Sequence, residues 1–498
     1  MRPRNRCADG TINLRSPYML LFLLLAACDT HALPPAAEYH PVVPVTDDTD
    51  DSIESVGTAT AEPCLADEIY PYDPVAIVTY TLDIDDRTLA ELDALGYSWW
   101  SYGTTYDQIS MLATSVTIDA PGCESIVFTD PRVDTGRQMG WQSPYGEASW
   151  IVEYNEVHGD QTIGGYDDAR YWAPTYDGPV NVVWVYEYAM NYVGLNNHRW
   201  ASWMKFRTTW WGGNQQAIYN ALEPIEDDYM TRVGANVVWE GNDINVWFNG
   251  GPICKAGDCA NANVRGTECL ERLATLSDPS ALIAETGDCY DWPEISAVIA
   301  FQDWLGHWDG CGSNNCFGTM SGDPSNVETW KTALGITGVD LLLRQDFTPV
   351  ERVDFSLSGG GTAGAYCKAD ASVGGCRDQY LAYLATLSTL ARSGQMEADL
   401  REVYALRQSD GIALDGDDEW VEASVSWVTA RPDYVDQAIE SMLYPCGRPD
   451  TGDTAGAVPP PGGGQVWDTG GYYDPCAGTS DTADTGWIQG GGFPDTGH

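Results

Sequence analysis

The apolar residues of this chain change their period part-way along, and that change limits the fold more than any other feature. In the first half of the block 69–446 they alternate: "VAIVTYTLDI", "ASWIVEYNEV", "WASWMKFRTTW" and "NVVWEGNDINVWF" each present one apolar and one polar face, as half-buried strands do. In the second half the period lengthens. In "DWPEISAVIAFQDWLGHW", Ile295, Val298, Ile299, Leu305 and Trp308 recur at helical spacing, with Pro293 in the first turn. "CRDQYLAYLATLSTLARSG" and "QMEADLREVYALRQ" repeat the pattern and stop at Gly394 and at Ser409-Asp410-Gly411. Strands followed by helices predict an α+β fold with a strand-rich N-terminal half and a helical C-terminal half.

The flanks cannot join that core. Residues 28–68 are rich in Pro, Thr and Asp and contain neither Lys nor Arg, which reads as a self-repelling linker. Residues 447–498 repeat Asp-Thr-Gly among Gly and Pro with few aliphatic side chains, which reads as a disordered tail. Residues 1–27 join four arginines to the apolar run "YMLLFLLLAAC", the pattern of an export signal too short to span a bilayer as a mature helix. Its end, "LAAC", resembles a lipobox and would leave Cys28 lipidated at the mature N-terminus; the other reading is an ordinary signal-peptidase site near Ala32. The expected location is therefore the cell envelope, as an exported lipoprotein held to a bacterial membrane by its lipid alone.

Charge narrows the partners. Basic residues number 25 against 73 acidic ones, for a net charge of -48, so phosphate backbones are repelled and nucleic acid is excluded as a ligand. Of 14 cysteines, setting aside Cys7 and Cys28 leaves an even set in an oxidising compartment. Spacing suggests the local pairs Cys254–Cys259, Cys269–Cys289, Cys311–Cys316 and Cys367–Cys376, with Cys64–Cys123 and Cys446–Cys476 completing the count. The Gly-rich "SGGGTAGAY" reads as a loop, and the acidic runs "DIDD" and "DGDDEW" read as solvated charge.

One stretch carries candidate chemistry. In "GHWDGCGSNNCFG", Asp309 follows a helix and precedes Asn314 by five residues, the spacing at which a carboxylate can orient an acceptor hydroxyl while an amide oxygen holds a divalent cation. Downstream, "ITGVDLLLRQDF" supplies Asp340 as a second oxygen ligand. Taken alone, Asp and Asn are also simply good turn formers.

Six segments in order resemble the CotH spore-coat kinase family, an atypical branch of the two-lobed protein-kinase-like fold: "SWIVEYNEV", "VVWVYEYAMNYVGLNNHRWASWMKF", "ALEPIEDDYMTRVGANVVWEG", "AFQDWLGHWDGCGSNNCF", "ITGVDLLLRQDF" and "AYCKADASVGGCRDQYLAYL". The resemblance implies a kinase-like domain over 69–446 that uses ATP with Mg2+ or Mn2+ to modify a secreted or surface protein. It implies Asp309 as catalytic carboxylate, Asn314 or Asn315 and Asp340 as metal ligands, and Arg137 and Glu223 as cofactor-facing residues. Glu226 stands where an Asp is usual, and Glu147 and Ile151 stand where the family carries lysines; Lys205 is the candidate replacement. The same resemblance allows a degenerate member, a pseudokinase serving as a surface binding or structural module.

Overall fold

A computed structural model describes residues 65–102, 110–135, 143–146, 148–173, 180–195, 197–211, 216–241, 244, 253–307, 310–311, 316–339, 342–343, 350, 353 and 361–443. The alternating segments form a nine-stranded sheet in the order β2-β5-β6-β7-β9-β8-β1-β3-β4. Its strands are β1 (Thr79–Asp83), β2 (Ser110–Leu112), β3 (Ser115–Asp119), β4 (Ile126–Thr129), β5 (Arg132–Thr135), β6 (Trp150–Glu153), β7 (Asp168–Trp172), β8 (Ala201–Thr208) and β9 (Ala217–Leu222). Every pairing is antiparallel except β1 with β8, where Thr79 lies beside Lys205.

Alternation sorts the two faces. Val133, Trp150, Val152, Ala169, Tyr171, Phe206, Tyr219 and Ala221 bury one face in an aromatic core. Ala201, Trp203, Ile218 and Leu222 bury the other face in the core of the helical portion. Helix α1 (Asp86–Tyr102) follows β1, and a helical segment bridges β7 and β8. That segment begins as α2 (Asn181–Val183), widens into a π-turn over Trp184–Tyr188 and tightens to 3-10 geometry over Ala189–Val193, ending on Gly194 at φ +69°. After β9 come α3 (Asp227–Val233), β10 (Val237–Gly241) and β11 (Ile253–Gly257).

The second half, expected to be mostly helical, also contains a second sheet. β10 and β11 join β12 (Cys316–Ser321) and β13 (Lys331–Ile336) in a four-stranded sheet ordered β11-β10-β12-β13. Around it stand α4 (Cys259–Ala274), α5 (Leu282–Thr286), α6 (Trp292–Leu305), α7 (Gly361–Ala369), α8 (Cys376–Arg392), α9 (Gln395–Ser409) and α10 (Asp417–Leu443). The result is a mixed α+β domain with a strand-rich N-terminal portion and a helical C-terminal portion. Within "NVVWEGNDINVWF" the strand described is Val237–Gly241. One loop reading and one reading of solvated charge are corrected. "GTAGAY" belongs to α7, where Ala363 and Cys367 are buried and the Cys367–Cys376 bridge fastens the helix to the next one. In "DGDDEW", Asp417 is buried, accepting from Arg407 Nε at 2.7 Å and from the Leu414 amide at 2.9 Å.

All four local cysteine pairs form: Cys254–Cys259, Cys269–Cys289, Cys311–Cys316 and Cys367–Cys376. Cys123 is also disulfide-bonded, while Cys64, Cys446 and Cys476 lie outside the described residues, as does Cys28. Disulfides at this density fit an oxidising environment. Among the described residues, no helix is long and apolar enough to cross a membrane.

Candidate active site

Helix α6 delivers the chain to the candidate loop, and it is held at both ends. Its first turn is capped by Asp291, which accepts from the Glu294 amide at 3.2 Å, with Pro293 where no amide hydrogen is needed. Unlike the one-sided pattern expected, it is buried nearly all round, from Ile295 to Leu305. At its C-terminus Gly306 takes φ +65° and donates to the Asp303 carbonyl at 3.2 Å, and the carbonyls of Asp303 and Trp304 also accept from Arg431 at 2.8 and 2.6 Å. The same guanidinium donates to the carbonyl of Val350 at 2.6 Å. Beside it, Asp303 forms a buried ion pair with Lys368 at 2.8 Å and accepts from the Tyr380 hydroxyl at 2.8 Å.

The next residues tie the loop to the strand hairpin. His307 is buried, and burial holds its imidazole down to about 4, so it is neutral and its Nε2 donates to the Thr337 carbonyl at 3.0 Å. Gly310 packs against His307 and Gln302, so closely that a Cβ there would stand 2.8 Å from His307 Nδ1. Cys311 is bridged to Cys316, the first residue of β12, and Cys316 pairs in register with Ile336, the last residue of β13. The loop entering β12 and the segment leaving β13 therefore start from adjacent positions. Asp309, Asn314, Asn315 and Asp340 lie outside the described residues, as do Arg137 and Glu147, but their flanks at His307, Gly310, Cys311, Cys316 and Val339 are described.

Glu223 follows β9 and is fully buried. Its carboxylate accepts from Arg232 Nε at 2.7 Å and Nη2 at 2.5 Å, from the Tyr166 hydroxyl at 3.1 Å and from the Trp200 amide at 3.0 Å. Its carbonyl accepts from Arg199 at 2.8 and 2.5 Å. Every oxygen is thus taken by a protein donor, and Glu223 fastens the connection between β9 and α3.

The sheet face toward the helical portion carries the remaining candidates. Alternation puts Asp168, Arg170 and Trp172 of β7 on that face, together with Ile151 and Glu153 of β6 and Lys205 of β8. Arg170 was not singled out by sequence; it reaches Glu226 at 3.4 Å. Glu187, in the π-turn that follows β7, accepts from the Ala201 amide at 2.9 Å, and burial pushes its carboxyl up to about 7. Among the described residues no group of three or more His, Cys, Asp or Glu side chains could hold a metal ion. No protein-family model matches the chain, and no curated protein matches it.

Proposed function

We propose that residues 69–446 form an exported, CotH-like atypical kinase domain that binds ATP with Mg2+ or Mn2+ and modifies a secreted or surface protein. One observation carries the reading. The β12–β13 hairpin starts the segments bearing Asn314 and Asp340 from register partners, and His307 on the Asp309 side is hydrogen-bonded to Thr337 on the Asp340 side. Phosphoryl transfer asks for that arrangement, a carboxylate and two metal ligands converging from a loop and the end of a strand. Asp309 would orient the acceptor hydroxyl, and Asn314 or Asn315 together with Asp340 would hold the cation against the phosphates.

A specific observation favours the pseudokinase reading. Kinases pair a lysine on a sheet strand with a glutamate on a nearby helix to hold the phosphates. In this chain the strand before the helical segment is "DARYW", whose cation Arg170 turns to Glu226, while Glu187 is engaged by a backbone amide. Calorimetric melting with ATP and Mg2+ or Mn2+ separates the two. Ligand at 100 times its Kd should stabilise the fold by about 2.7 kcal/mol. Asp340→Ala is expected to abolish that shift, and Asp309→Ala to keep it while abolishing turnover. Absence of any shift across both cations would leave the binding-module reading standing.

The envelope location is part of the same proposal and rests on Cys28. Cys28→Ser is expected to move the protein from the membrane fraction to the soluble fraction, and unchanged fractionation would rule out the lipid anchor.

A further inference from the structure

A row of charges across β5, β6 and β7 does not balance. Register sets Arg132 opposite Glu153, and Glu153 opposite Asp168. Arg132 engages Glu153 at 2.9 Å and Asp134 at 3.3 Å, both on the β5–β6 side. Asp168 is left facing a like charge, an arrangement that destabilises a sheet pair. The cation two residues along its own strand, Arg170, is drawn to Glu226. Asp168 is only 7 % exposed, and among the described residues none donates a hydrogen bond to its carboxylate. Its carboxyl is pushed well above the usual range, first by burial and next by Glu226, with Asp167 and Glu153 adding to the shift against Arg170. Burial is likewise the first cause raising Glu153. The neighbours are open to solvent: the side chains of Glu153 and Glu226 are 29 % and 46 % exposed.

We propose that Glu153, Asp168 and Glu226 form a binding site for an organic cation, the guanidinium or ammonium group of an arginine or lysine side chain on a protein or peptide. The buried Asp168 carboxyl, disfavoured as an anion while the site is empty, is the group an arriving cation would draw into its ionised form, and the two exposed carboxylates form the mouth. A metal ion is the poorer fit, since these carboxylates do not gather into a metal-sized cluster. A guanidinium has five donors in a planar fork and bridges carboxylates set further apart, whereas an ammonium satisfies the same charge with three donors. The site goes beyond the nucleotide reading and does not depend on it.

The test titrates the mature protein with N-acetyl-arginine amide and N-acetyl-lysine amide, using N-acetyl-citrulline amide as the neutral isostere, by calorimetry and by melting temperature. At least one cationic probe is expected to bind and raise the Tm, and the citrulline probe to do neither. Asp168→Asn should weaken binding at least tenfold while melting no lower than the parent, because it removes a buried carboxylate that lacks a partner. Glu226→Gln, at the exposed rim, should weaken binding without touching the fold. Equal binding of the citrulline probe, unchanged affinity in both variants, or no binding of either cation up to tens of millimolar would overturn the proposal. ATP with Mg2+ titrated into the same samples reports separately on the kinase reading.

Discussion

Glu223→Ala is expected to be among the most damaging single substitutions in the domain, costing about 3–5 kcal/mol, the range for removing one partner of a buried ion pair. The loss has two parts. Arg232, which also stacks over the Trp200 ring at 4.1 Å, keeps its charge in a largely buried place without the carboxylate it is bonded to, and the Tyr166 hydroxyl and Trp200 amide lose their acceptor. Denaturant unfolding with the disulfides intact measures it. The double variant Glu223→Leu with Arg232→Met should recover much of the loss, because well-packed apolar residues often replace a buried pair at little cost. A loss below about 1 kcal/mol in Glu223→Ala would show that the junction between β9 and α3 does not rest on this network.

Glu187→Gln is expected to act in the opposite direction and only at higher pH. The Glu187 carboxyl is pushed up to about 7, chiefly by burial, with Glu223 and Asp73 raising it further against Arg232 and the Ala201 amide. Between the ordinary glutamate value and about 7 the folded state holds a proton that the unfolded state has released, so stability falls as pH rises through that window and levels off above it. Glutamine keeps the acceptor for the Ala201 amide and removes the charge. At pH 8 the variant should be more stable by on the order of 3 kcal/mol, and near pH 4 by almost nothing, since a shift of roughly 2.5 units corresponds to that energy. Glu294, held up at about 7 by burial and by Asp291, contributes a slope of the same sign and remains in the variant as an internal reference. Equal gains at both pH values would mean that packing, not ionisation, is responsible.

Where side chains repeat with a clear period, the elements were legible in the sequence. β1, β6 and β8 lie inside the alternating segments, and α6, α8 and α9 inside the helical ones. Short cysteine spacings pointed to the four local bridges. Of the four-stranded sheet, β10 lay in an alternating segment, but β12 and β13 lack alternation: "CFGTMS" and "KTALGI" are buried on both faces, and their glycines read as turn signals. Those glycines are there for space. A Cβ on Gly335 would stand 2.1 Å from the Phe317 ring, and one on Gly318 would stand 2.4 Å from the Trp239 ring. Helix α7 was hidden by the glycines before and within it, and tertiary packing with the Cys367–Cys376 bridge overrides their low propensity. At the site, sequence spacing picked out Asp309, Asn314 and Asp340 because they sit in short local patterns. The partners of Glu223 and Arg170 were out of reach, since Arg170 meets Glu226 across 56 positions and Tyr166 meets Glu223 across 57.

Arg431 sets an order of events during synthesis. The carbonyls it holds belong to Asp303 and Trp304, more than 120 positions earlier, at the point where α6 hands over to the candidate loop. The Arg431 contacts to that helix end form only after α10 has been made, so part of the loop's footing comes from the last helix described.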